Sequence, residues 1–137
     1  MRATQLLQEG LDRQLQRDAG MPHAYYGILV GLSESTDGQA LMSEVAAFMG
    51  FSPSRLSHAV AKMEQYGWVR RKPCPDDGRS TFVGITRAGR AALAAAAAGH
   101  VDFVRRVVFD PLTSDEQHQL RTVCDRIVEA LAAETPG

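Results

Sequence analysis

Between Arg55 and Arg90 the chain carries eight cationic side chains: Arg55, Lys62, Arg70, Arg71, Lys72, Arg79, Arg87 and Arg90. Only three acids oppose them there (Glu64, Asp76, Asp77), so this window is +5 and the remainder of a chain of net charge −1 is −6. Clustered guanidinium and ammonium groups neutralise phosphates, and an arginine can also bond a guanine edge through two N–H groups. The chemistry open to this segment is recognition of a polyanion, with acidic flanks suited to another task. Catalytic arrangements are missing: there is no glycine-rich phosphate loop and no nucleophile elbow, and Asp76-Asp77 reads as a turn signal. An enzyme is not expected. Cys74 and Cys124 lie in different elements without metal or disulfide spacing. His23, His58, His100 and His118 are scattered with no i, i+4 pair, so neither a metal nor another cofactor is expected.

The elements that must position these cations are legible from apolar spacing and punctuation. Leu7, Leu11 and Leu15 recur every four residues and predict an amphipathic first helix that Gly20 stops. Pro22 suits the first turn of a second helix, which carries Tyr25, Ile28, Leu29 and Leu32 to about Ser35, before the turn signal Thr36-Asp37-Gly38. A short helix from about Leu41 to Met49 ends at Gly50. Ser52 is placed to cap the next helix, with Pro53 at its first position, Leu56, Val60 and Met63 on its buried face, and Gly67 at its end. Ser54, Arg55, Ser57, His58, Ala61 and Lys62 are left outside. WVRRKPCPDDGRSTFVGIT, from Trp68 to Thr86, reads as two strands around an Asp77-Gly78 turn, and Thr86 is placed to cap a long helix from Arg87 to about Phe109. Pro111 breaks that helix, and Thr113-Ser114-Asp115-Glu116 is a capping box for a last helix striped with Leu120, Val123, Cys124, Ile127, Val128 and Leu131.

A helix, a tight turn, a second helix with a basic outer face and a basic hairpin make a winged helix-turn-helix. The expected fold is mainly α with a small β-hairpin wing, a single domain of 137 residues. Residues 22–99 form the lobe and the start of the long connecting helix, and residues 1–20 and 100–137 form dimerisation helices. No run of about 18 apolar residues occurs, and the first residues are charged and periodic rather than apolar, so neither a membrane span nor a signal peptide is expected. A reduced, cytoplasmic protein fits.

The order of elements resembles the MarR family of bacterial transcription regulators over nearly the whole chain. Asp77-Gly78-Arg79-Ser80 followed by Ile85-Thr86 is similar to the family's wing signature. Ser52-Pro53-Ser54-Arg55-Leu56-Ser57 resembles the start of its recognition helix, and Phe109-Asp110-Pro111-Leu112-Thr113 the break between its last two helices. Two features depart from the pattern: Gly78 stands where relatives often carry a second arginine, and the first helix is short. The resemblance implies a dimeric repressor of a pseudo-palindromic double-stranded DNA operator, released by a small aromatic or phenolic effector.

On this reading Ser52, Ser54, Arg55, Ser57, His58 and Lys62 present the helix to the major groove, and Arg79 reaches the minor groove from the wing, with Asp77 placed to orient it or a nearby arginine. Side chains alternate along a strand, so at most two of Arg70, Arg71 and Lys72 face one phosphate backbone; Arg70 and Lys72 are taken as that pair. Leu7, Leu11, Leu15, Leu120, Ile127 and Leu131 are too apolar for a solvated surface and suggest helices shared between two copies. His23, Tyr25, Tyr26 and Phe103 are candidate linings of an effector crevice. Cys124 reads as core. Two alternatives stay open: an oxidant-sensing thiol at Cys74, beside Arg71 and Lys72, and a winged-helix protein-interaction module without DNA specificity.

Overall fold

The computed structural model describes residues 1–76 and 78–134. Their contacts group Met1–His100 as one compact unit and the residues from Val101 onward as another. In chain order the first unit contains α1 (Arg2–Ala19), α2 (His23–Glu34), a 3-10 turn (Thr36–Gly38), β1 (Gln39–Leu41), α3 (Met42–Met49), α4 (Pro53–Gln65), β2 (Val69–Pro73), β3 (Thr81–Ile85) and most of α5 (Arg87–Val104).

Helix α2 is the axis of this unit's core. Its Ile28, Leu29 and Leu32 are fully buried, and around them close Leu15 of α1, Val45 of α3, Leu56, Val60 and Met63 of α4, and Val69 and Val83 of the strands. Burying each such side chain contributes roughly 1.5–3 kcal/mol. Leu56, Val60 and Met63, at four- and three-residue spacing, thus mark the buried face of α4, as expected. Helix α1 also packs here, which corrects the expectation for Leu11 and Leu15 that a second copy covers them. Leu15 is completely buried and Leu11 nearly so within this chain, because their face of α1 packs on α2. Leu7 is half-buried and Leu6 exposed.

The wing is larger than a hairpin. β1 adds to β3 and the sheet has the order β1-β3-β2, antiparallel throughout. Gln39 pairs with Gly84 on one side of β3, and Arg70 pairs with Gly84 on the other. Thr86 then works as both a cap and a staple: its hydroxyl donates to the Gly67 carbonyl and accepts the Gly89 N–H at 3.0 Å. The end of α4, the start of β2 and the start of α5 are thereby held at one point.

The second unit holds the end of α5, a π-helical turn (Arg105–Phe109) closed by the Asp110 N–H on the Arg105 carbonyl at 2.8 Å, and α6 (Ser114–Glu134). The expected capping box is present: the Thr113 hydroxyl accepts the Glu116 N–H at 3.2 Å, and the Glu116 carboxylate accepts the Thr113 N–H at 2.8 Å. No residue of α6 is buried in the single chain; Leu120 is 39% exposed and Val128 64%. Cys124 shares this open stripe and is exposed, which corrects its reading as core. Among the described residues no helix is long and apolar enough to cross a membrane.

Candidate nucleic-acid interface

Helix α3 ends on Gly50, whose φ of 66° is the left-handed backbone that a tight inter-helix turn needs. Ser52 follows in extended conformation, and its hydroxyl accepts the Arg55 N–H at 3.2 Å, so α4 starts where the Ser-Pro pair sets it. The helix stops before Gly67, again left-handed at φ 76°. With Leu56, Ala59, Val60 and Met63 turned into the core, Ser54, Arg55, His58 and Lys62 are left exposed on the opposite side. The Arg55 guanidinium lies 3.8 Å above the Phe51 ring. That stacking holds an otherwise flexible side chain at the first turn of the helix.

Ser57 is half-buried and has a different neighbour. Its hydroxyl is 3.4 Å from Arg71 Nη1, and Arg71 also pairs with Glu64, Nη2 to Oε1 at 2.7 Å and Nε to Oε1 at 2.8 Å. Strand alternation holds in β2, but it turns Arg71, not its two neighbours, toward α4. Arg71 stands opposite the buried Val83 on the core-facing side of the sheet. Arg70 and Lys72 line the other side, in a cleft of about 280 Å³ with Asp37, Gln39, Gly84 and Thr86. The pair assigned together does share a face, but that face is not the one against α4. Arg79 is exposed and lines a second cleft of about 360 Å³ between α3, α4 and the wing, with Met42, Ala46 and Leu56 as its apolar floor and Arg71 at its rim. Cys74, half-buried, closes the base of the wing loop through its N–H to the Ser80 carbonyl at 2.9 Å. Asp77, expected to orient Arg79, lies outside the described residues.

The crevice residues divide. His23 and Tyr26 pack on His100, with ring centroids 5.7 Å and 4.2 Å away. His100 is only 7% exposed, and its Nδ1 is 2.9 Å from Gln14 Oε1. Gln14 Nε2 donates to Asp18 Oδ2 at 2.8 Å, and a carboxylate only accepts, so the amide oxygen must face the ring and Nδ1 carries the proton. Burial holds His100 below the ordinary imidazole range, with His23 adding to the effect; burial likewise lowers His23, against the pull of Asp12. Burial raises the phenols of both tyrosines, and nearby Tyr66 raises Tyr25 further. Phe103 belongs to the second unit, where the Arg106 guanidinium lies 5.8 Å from its ring.

The MarR family model matches residues 19–80, which span α2 through the wing loop. Sco3205 of Streptomyces coelicolor, a MarR family transcriptional regulator solved in complex with DNA, is 48% identical over 99% of this chain and 86% of its own, with a TM-score of 0.94. The chain belongs to the MarR family. AbsC of the same organism, another MarR family regulator, is 35% identical, with a TM-score of 0.92 over 96% of this chain and 88% of its own. The transcriptional regulator PecS of Dickeya dadantii (strain 3937) is 28% identical over 89 residues, 65% of this chain but only 53% of the length of PecS.

Within this MarR-family chain two features escaped the sequence reading. Glu64 carried a signal for the first, being the only carboxylate in α4, which is otherwise neutral or basic. A lone acid among neutral and basic neighbours pairs readily with a nearby cation, and the adjoining basic strand supplies Arg71. Gln14 to His100, a contact across 86 positions, carried none.

Proposed function

We propose that this chain is a dimeric, sequence-specific DNA-binding regulator that represses transcription from the cytoplasm and carries out no catalytic step. One observation supports this most: the exposed side of α4 offers Ser54, Arg55, His58 and Lys62, while its single acid, Glu64, is neutralised by the adjacent strand. That side suits a major groove, with Arg55 able to bond a guanine edge and Lys62 a phosphate. Arg79 suits the flanking minor groove; Ser52 caps the helix and Ser57 lies beside Arg71, both within reach of the same duplex backbone. Arg70 and Lys72 remain available to phosphates beside the wing. The likeness to Sco3205, solved with DNA bound, supports the same docking.

Dimerisation rests on α6, whose Leu120, Ile127 and Leu131 stay open in the single chain. A second copy covers such a stripe and places two lobes on half-sites about 34–36 Å apart. Release by a small aromatic or phenolic effector is a population shift toward a lobe spacing that no longer matches successive grooves. The test is fluorescence anisotropy of the full chain on the DNA flanking its own gene, with random duplex as competitor, beside light scattering for mass. Competitor-resistant, salt-sensitive binding that Arg55→Ala and Arg79→Ala weaken supports the reading. Equal, weak binding to every duplex by all three proteins overturns it.

A further inference from the structure

The Arg71 contacts bear on how two separate DNA-reading parts come to act together. Ser57 and Glu64 are seven residues apart, so they lie on one side of α4 two turns from each other. Arg71, from the middle of β2, reaches both, and its own backbone N–H approaches Glu64 Oε2 at 3.5 Å. One guanidinium thus spans the junction between helix and wing, and its planar fork resists rotation better than an ammonium would. The pair is only partly screened from solvent, the side chains of Arg71 and Glu64 keeping 37% and 31% of their exposure. It therefore acts through its geometry, several bonds from one planar group, more than through Coulomb energy.

We infer that Arg71 is a positioning residue that, through Glu64 and Ser57, fixes the angle between the recognition helix and the wing so that both engage one duplex at once. This rests on the DNA-binding reading above. The clamp also explains why an acid is tolerated on α4, since its charge is spent on Arg71 and not on phosphate repulsion. Arg70 and Lys72, on the other side of the strand, take no part in it.

The sign of one substitution separates this from simple charge. Glu64→Gln removes an acid from the helix presented to DNA, and on electrostatic grounds alone it tightens binding. The clamp requires the opposite: a loss of about three- to tenfold in affinity for a labelled duplex selected by the wild-type protein from a random-sequence pool. Arg71→Gln gives a similar loss, its effect overlaps with that of Arg79→Ala instead of adding to it, and the exchanged pair Glu64→Arg/Arg71→Glu recovers most of the affinity. Tighter binding by Glu64→Gln, or a fall of about one in the salt slope with Arg71→Gln and full additivity with Arg79→Ala, overturns the inference and makes Arg71 a phosphate contact. Hydrogen exchange without DNA decides the clamp even if no duplex is selected, a result that would count against the DNA-binding reading instead. Residues 69–85 lose protection in Glu64→Gln while 42–60 keep theirs; unchanged protection in 69–85 overturns the clamp.

Discussion

Two glycines in α5 predict opposite outcomes for the same substitution. An alanine in a helix interior is favoured over glycine by about 1 kcal/mol, so on propensity alone both Gly89→Ala and Gly99→Ala stabilise the protein. At Gly89 the added methyl would sit 3.0 Å from the carbonyl carbon of Trp68, closer still to its oxygen, and 2.9 Å from Ile85 Cγ1. The obstacle is backbone, and that carbonyl already accepts the Thr86 N–H at 3.0 Å, at the junction where α4, β2 and α5 are stapled. Relief needs a displacement on the order of 1 Å, against dispersion and hydrogen-bond losses that put overpacking at about 1–3 kcal/mol or more. Because the obstacle is backbone the cost lies at the upper end of that range, so once the propensity gain is subtracted Gly89→Ala is expected to lose about 1–2 kcal/mol net, a fall of several degrees in Tm for a chain of this size. At Gly99 the nearest atoms are the carboxylate end of Asp18 at 3.3 Å and Gln14 Nε2 at 3.6 Å. Asp18 is exposed and can yield, so Gly99→Ala gains up to about 1 kcal/mol. Urea unfolding of both variants beside the wild type provides the assay. A Gly89→Ala protein as stable as the wild type, or more so, refutes the close approach of α5 to the Trp68 carbonyl.

Ser52→Ala removes the side-chain acceptor for the Arg55 N–H and is expected to cost about 1 kcal/mol, read as a lower urea midpoint with an unchanged m-value. His100 and His23 are held below the ordinary 6.5, so the unfolded chain binds more protons than the folded one as pH falls from there. Stability is therefore complete above about pH 6.5 and declines as pH drops toward the lowered folded values; a His100→Gln variant shows a shallower decline, and an equal slope argues against the buried imidazole as its source. Lys62→Ala is expected to weaken binding to operator and random duplex by the same factor and to reduce the salt slope by about one, whereas Arg55→Ala weakens operator binding more than random binding. Salt titrations on both duplexes check this pair.

What the amino-acid order determines unaided is the set of features decided within a few residues of backbone. The Ser52-Pro53 start of α4, the left-handed Gly67 after it, the Thr86 cap and the Thr113–Glu116 box are such features, since each depends on which backbone group a nearby side chain or glycine can satisfy. Apolar spacing likewise identified Leu56, Val60 and Met63 as the buried face of α4, though it could not say what lies against a stripe. That limit shows in α1 and α6. Both carry leucine stripes, yet Leu11 and Leu15 are covered by α2 of the same chain while Leu120, Ile127 and Leu131 are open. Strand β1 went unread because three residues are too short for alternation to register. In β2 the period of two restricts Arg70, Arg71 and Lys72 to two faces, but only the register against β3 and the placement of α4 decide that Arg71 meets Glu64. The tie from His100 to Gln14 is of the same kind. Local chemistry determines where elements begin and end, and which faces meet is decided by how the whole chain buries its apolar surface at once.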